Sequence, residues 1–289
     1  MTDARNKNRI DVWPTTAAAI ASANAGAKRV NRIDVWPTTA AAKAHTSGGS
    51  SYIAKAVHFD GSTYLGIGSL STSDSPVLSF SMWLKTPVQL ANNTIFVSDA
   101  DNNFTPIFVQ VGGDISSFSM QCYDPAGDGN LSASFGGFTI GSWHHFLFSC
   151  DVGLAGEGNK LNKLYVDGVE ATITDTANTG GAFSNPMNGL SFQVMGDPFN
   201  ENMVSDAADI WIAPGQSLLV GGDIPPATIA KFILAGKPVN LGVNGEVPTG
   251  ITPTVFFSGD ALSFATNGGI GGAFTLTGTL TNASTSPSD

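Results

Sequence analysis

GSWHHFLFSCD (residues 141–151) and KLYVDGVE (residues 163–170) decide the fold. In the first, alternation places Phe146, Phe148 and Cys150 on one face of an extended run. In the second, Asp167-Gly168 lies between the apolar stretches Lys163 to Val166 and Val169 to Ile173. Asp-Gly between two such runs is a strong hairpin signal, because a tight two-residue turn needs positive φ and glycine accepts it. Short alternating runs joined by turn residues predict an antiparallel sandwich.

The same texture runs outward in both directions. AVHFDG, TYLGIG, LSFSMWLKT, TIFVSD, PIFVQVG, FSMQCY and LSASFG precede the pair, and LSFQVMG, DIWIA, TVFFSG, LSF and AFTLTGTL follow it. One helix is predicted, Pro226 to Ala235, where Ile229, Phe232 and Ile233 fall at helical spacing, Pro226 sits near the start and Gly236 follows the end. The tail from Asn282 to Asp289 is expected to fray. Composition agrees with one large β core. Of 289 residues 42% are hydrophobic and only 12% charged, so Gly, Ser, Thr and Asn must cover much of the surface, and the 34 glycines and 15 prolines punctuate the apolar runs.

Residues 1–51 read differently. NRIDVWPTTAAA occupies Asn8 to Ala19 and recurs unchanged at Asn31 to Ala42. Each copy predicts an extended stretch into Trp-Pro, since a residue before proline avoids the α region. Each then continues as a short helix through the alanines. TSGGSS (residues 46–51) is the hinge to a body spanning residues 52–289. Charge divides at the same place. Residues 1–55 carry eight Lys/Arg against three Asp, leaving five basic and twenty acidic residues beyond. An acidic body repels nucleic acid and anionic lipid, and the arm's positive charges are too sparse for free DNA, so an acidic protein surface is the expected partner. Each repeat offers the same anchor set: Arg9, Ile10, Asp11 and Trp13, then Arg32, Ile33, Asp34 and Trp36. Trp and Arg dominate interface hot spots. Identical copies mean either recent duplication or two binding events at equivalent sites. The 23-residue spacing spans at most about 76 to 83 Å fully extended, and much less with the alanine runs helical, which suits neighbouring copies of one subunit in a symmetric shell or ring, with this chain a homo-oligomer or multi-copy component. No secretory h-region follows Met1 and no run of 18 apolar residues spans a membrane, so synthesis in a cytoplasm is expected.

HFDGSTYL, FSMWLKTP, the W-H-H phrase with its Y-V-D-G hairpin, and DIWIAPGQSL, in that order, resemble the laminin-G-like branch of the concanavalin A-like lectin and glucanase superfamily. The resemblance implies an all-β, antiparallel jelly-roll sandwich, carried here behind an extended, partly helical N-terminal arm. The stretch PTVFFSGDALSFATNGGIGGAFTLTGTLTNA (residues 253–283) looks like the C-terminal end of such domains in tailed-bacteriophage structural proteins. That implies a virion protein, a capsid decoration, fibre or tail-associated component, attached through its arm to capsid or tail subunits. A carbohydrate-binding adhesin recognising host glycans is the alternative.

Catalysis is not expected. The four glutamates, Glu157, Glu170, Glu201 and Glu246, stand apart, whereas glycosidases of this superfamily hold paired carboxylates across a sugar ring. No G-x-S-x-G, H-E-x-x-H or C-x-x-C signature occurs. His144 and His145 face opposite sides of a strand and cannot share a metal. No cofactor is required. Calcium is the candidate ion, because members of the resembled family hold it in loops. Asp99, Asp101 and Asn103, or Asp124, Asp128 and Asn130, offer the oxygens. Trp83, Trp143 and Trp211 lie in alternating runs, to be buried in a core or used as glycan platforms. Cys122 and Cys150 both face inward, as free thiols or as a bridge.

Overall fold

The computed structural model describes residues 10–11, 33–34, 52–72, 75–86, 93–99, 107–111, 117–123, 129–136, 139–151, 161–177, 191–196 and 202–289. The chain forms two units, Met1–Ser51 and Tyr52–Asp289. In the first, β1 (Ile10–Asp11) and β2 (Ile33–Asp34) pair in parallel, Ile10 opposite Ile33 and Asp11 opposite Asp34, so equivalent positions of the two repeats face each other. The alanine runs expected to be helical lie outside the described residues.

The second unit is built on two antiparallel sheets. Its strands are β3 (Val57–Asp60), β4 (Tyr64–Ile67), β5 (Val77–Lys85), β6 (Asn93–Asp99), β7 (Ile107–Val111), β8 (Ser117–Tyr123), β9 (Gly129–Gly136), β10 (His144–Asp151), β11 (Leu161–Val166), β12 (Val169–Glu170), β13 (Ile173–Ala177), β14 (Ser191–Val194) and β15 (Val204–Pro214). Helix α1 (Pro226–Ile229) follows, then β16 (Ile233–Leu234), β17 (Lys237–Pro238), β18 (Val255–Phe257), β19 (Thr275–Thr277) and β20 (Thr281–Asn282). One sheet runs β12-β11-β10-β5-β15-β3-β20, with β18 also paired to β15. The other runs β13-β9-β8-β7-β6-β14-β4-β19. The Asp-Gly hairpin forms as its residues dictate. Asp167 and Gly168 both take positive φ, 53° and 80°, and β11 turns into β12. The chain then leaves for the opposite sheet, where Ile173 faces Phe135.

Alternation fills the space between the sheets. Leu78, Phe80, Met82 and Leu84 of β5 and Phe146, Phe148 and Cys150 of β10 meet Leu65, Phe96, Phe192 and Val194 from the other sheet. Phe80 stacks on Phe148 at 5.1 Å and meets Phe96 edge-on at 5.3 Å. Each such ring contributes about 1.5–3 kcal/mol through burial. Cys150 is a buried, free thiol, and burial pushes it up to about 12, far from thiolate chemistry.

The other face of β5, β10 and β15 is buried as well. Trp83, Leu147, Tyr165, Ala208 and Trp211 pack beneath a covering segment that supplies Leu218, Ile224, Ile229, Phe232, Ile233, Leu241 and Phe256. The alternate positions of VLSFSMWLK, Ser79, Ser81 and Trp83, are therefore sealed as well. Ser79 meets Ser149 at 2.8 Å, and Ser81 meets His145 Nε2 at 2.9 Å. Small hydroxyls fit there because each finds a partner, which burial demands.

Three expectations need correction. The helix predicted over Pro226 to Ala235 is a single turn. After Ile229 the bonds tighten to three-residue spacing, with the Phe232 N–H donating to Ile229 O. Ala235 and Gly236 then take positive φ and turn β16 into β17. Ile229, Phe232 and Ile233 do share a face, but they share it across a turn and a hairpin. LSF (residues 262–264) is also a turn, not a strand: the N–H groups of Ser263 and Phe264 donate to Asp260 O, which drops Phe264 into the core beside Phe59 and Phe257. The tail does not fray. Thr281 and Asn282 pair with His58 and Val57, the Ala283 N–H donates to Ala56 O, and the Ala54 N–H donates to Ser288 Oγ. Lys237 Nζ closes the arrangement by donating to the carbonyls of Ser288 and Asp289.

Candidate functional site

The hairpin tip is a heavily bonded polar point of the described surface. Asp167 Oδ1 accepts the His145 N–H at 2.8 Å, and Asp167 Oδ2 meets His144 Nδ1 at 2.6 Å. His144 Nε2 lies 3.0 Å from Thr139 O. The bond to Asp167 raises His144 above its ordinary range against the effect of burial. Burial pushes the Asp167 carboxyl up, but the His144 and His145 hydrogen bonds outweigh it and hold it below the usual carboxylate range. This triangle fixes a turn and leaves no reactive group free.

His145 points the other way and is fully buried, with its ring 5.0 Å from that of Trp83. Desolvation holds it down to about 3, with Asp167 opposing weakly. Ser81 and His145 thus have the residue types of a nucleophile and its base, but both are sealed under Trp83 and Phe232. A dyad that no substrate reaches is structural. The two histidines do face opposite sides of their strand, as the alternation requires. Glu170 pairs with Lys163, and Glu246 Oε2 accepts the Asn244 N–H. Among the described residues, no three His, Cys, Asp or Glu side chains gather where they could hold a metal ion.

The tryptophans divide as burial dictates. Trp83 and Trp211 are core residues, and Trp211 Nε1 donates to Gly245 O at 2.9 Å. Trp143 is half-buried, with Nε1 donating to Thr285 Oγ1. Neither Trp83 nor Trp211 presents a face to a sugar. Of the calcium candidates, Asp99 closes β6, opposite Ser191, and Asn130 lies in β9. Asp101, Asn103, Asp124 and Asp128 lie outside the described residues. Of the arm anchors, Ile10, Asp11, Ile33 and Asp34 form the β1–β2 pair, while Arg9, Trp13, Arg32 and Trp36 lie outside the described residues.

The body's described surface carries an open cleft of about 360 Å³ along Ile53 to Ala56 and Asn282 to Ser286, and two further ones. One, about 480 Å³, runs between the Asp167-Gly168 turn and α1, with Tyr165, Ile224, Ile229 and Ile233 as its apolar wall and Asp167 and Asp223 at its rim. Tyr165 Oη donates to Asp223 there at 2.6 Å. The other is lined by hydroxyls and an amide, among them Ser71, Thr72, Ser75, Gln216 and Thr252. Neither brings together a nucleophile, a base and an oxyanion donor. Sequence reasoning missed one buried group altogether. Asp209, inside the apolar run AADIWIA, is 1% exposed and bonded to Tyr52. A charged residue in a continuous apolar strand was the available signal.

One family profile agrees with this architecture. The profile of the concanavalin A-like lectin/glucanases superfamily matches residues 59–202. Among solved structures, the heptameric SAP-like pentraxin of Limulus polyphemus is 12% identical, with 80% of this chain and 94% of that one covered at a TM-score of 0.49. Domains LG4-5 of mouse laminin α1 are 13% identical over 60% of this chain and 46% of theirs, at 0.39. The CBM40 of a Ruminococcus gnavus sialidase, bound to α2,3-sialyllactose, is 11% identical over 55% and 91%, at 0.36. No curated protein matches by sequence. The strand order, the two packed sheets and the matched profile make residues 59–202 a laminin-G-like domain of the concanavalin A-like lectin/glucanase superfamily.

Proposed function

We propose that this chain is a non-enzymatic structural protein of a tailed-phage particle, in which residues 1–51 attach to capsid or tail subunits and residues 52–289 are displayed as a decoration, fibre or tail-associated head. The observation that carries the reading is the duplicated NRIDVWPTTAAA segment, set apart from a body that draws every strand of its two sheets from residues 57–282. A body whose described strands all come from its own residues leaves the arm for attachment. The sealed Ser81–His145 pair and the locally engaged Glu170 and Glu246 support a role without chemistry. Residues 52–289 alone should remain folded and lose attachment to particles that the full chain decorates. Occupancy by the truncated protein equal to that of the full chain would refute the arm's role.

The second reading, a glycan-binding adhesin, is favoured by the lectin superfamily to which residues 59–202 belong. It places recognition on the body rather than the arm. Saturable binding of residues 52–289 on a glycan array supports it, and no binding at millimolar glycan removes it.

A further inference from the structure

Asp209 breaks the rules of its strand in three ways. Between Ala208, opposite Trp83, and Trp211, opposite Ser81, β15 carries two residues where β5 carries one, so the ladder bulges. Asp209 takes a φ of +47°, which a short polar side chain tolerates and which marks a site of stored strain. Its carboxyl is buried, with one oxygen bonded and the other, Oδ2, without a partner among the described residues. The bonded oxygen, Oδ1, accepts Tyr52 Oη at 2.8 Å. Tyr52 is the first residue of the body, where the chain arrives from the arm.

Among the described residues the surrounding elements supply no countercharge: in the covering segment Lys231 Nζ donates to Pro248 O and Lys237 Nζ to Ser288 O. Lys55, on the same lead-in segment, is paired with Asp260, and His58 of β3 is paired with Asp206. Lys85 of β5 is bonded to Thr285. His145 of β10 is neutral in the same layer, β18 contributes only Val255, Phe256 and Phe257, and Glu246 of the covering segment is bonded to the Asn244 N–H. A buried carboxylate held by a single neutral hydroxyl is costly to ionise.

We propose that Asp209 and Tyr52 form a proton-sensitive clasp that fixes the lead-in segment Tyr52 to Ala56 to the body, closed while the carboxyl keeps its proton and loosened as it ionises. Burial pushes Asp209 up to about 7, against the opposing bond from Tyr52, and the same burial raises Tyr52, so the phenol stays a donor throughout. Opening the segment admits water to the carboxyl and returns it to its ordinary range near 3.8. The folded group therefore holds its proton more tightly than the opened one. The clasp is strongest below the opened-state value, weakens as pH rises toward 7, and changes no further above it.

Hydrogen exchange of the full chain, read at the amides of residues 52–56 between pH 4 and pH 8 in wild type and Asp209→Asn, tests the clasp directly. The ratio of the two proteins' exchange rates removes the intrinsic pH dependence. It should rise by up to ~tenfold per pH unit from about 4 to 7 and then level off. A ratio that stays constant over this range overturns the proposal. Tyr52→Phe removes the one bond to the carboxylate, so its rise should continue past the pH at which wild type levels off. Levelling at the same pH would also overturn the proposal, and this second variant decides the matter if Asp209→Asn does not fold.

Discussion

Asp167 shows how much one turn residue carries. It supplies the positive φ of the tip, accepts the His145 N–H and pairs with His144. Asp167→Ala removes both bonds and places a Cβ-bearing apolar residue in the left-handed region, so a loss of about 2 kcal/mol is expected from denaturant melts. Asp167→Asn, which tolerates that conformation, should lose about half as much. The His144 share is proton-linked. A histidine raised in the folded state adds stability that is fully present below its unfolded value near 6.5 and fades as pH rises through the folded one. The gap between wild type and Asp167→Ala should therefore be wider at pH 6 than at pH 9. A gap that is equal, or wider at pH 9, would separate His144 from the turn. The Asp-Gly turn was legible because its chemistry is local. The clasp was not, because Asp209 and Tyr52 are 157 residues apart and only the fold brings them together.

At the scale of elements, alternation identified strands reliably wherever it spoke for one inner face, as in Phe146, Phe148 and Cys150. It failed where three residues at helical spacing met a turn. Ile229, Phe232 and Ile233 need only a common side to bury, and one helical turn followed by a hairpin delivers it as well as a longer helix. The tail misled for a different reason. Its polar residues have little to bury, and they are ordered instead by the open edge of β3 and by the carbonyls that Lys237 reaches. Removing residues 281–289 should cost about 2–4 kcal/mol, from several backbone and side-chain bonds worth about 1 kcal/mol each. An unchanged melting midpoint would mean that the tail contributes nothing.

For the whole molecule, the division between a basic repeated arm and an acidic body is a reading of charge and composition, whereas the double burial of β5, β10 and β15 left no such trace in the sequence. The strand residues are silent about a cover that comes from residues 218–256, and Ser79, Ser81 and His145 look like surface residues until that cover is in place. The same cover withdraws Trp83 and Trp211 from any surface role and leaves the half-buried Trp143 and the arm's Trp13 and Trp36 as the recognition candidates. Two modest sites on one tether gain affinity through effective concentration rather than through new contacts. The most direct measurement is particle occupancy of the full chain carrying Trp13→Ala, Trp36→Ala or both, with the melting of residues 52–289 as the control. Each single change should lower occupancy sharply and to a similar extent, and the double change should nearly abolish it while the body melts unaltered. Full occupancy of the double variant would contradict the account and leave duplication without function as the explanation of the repeat.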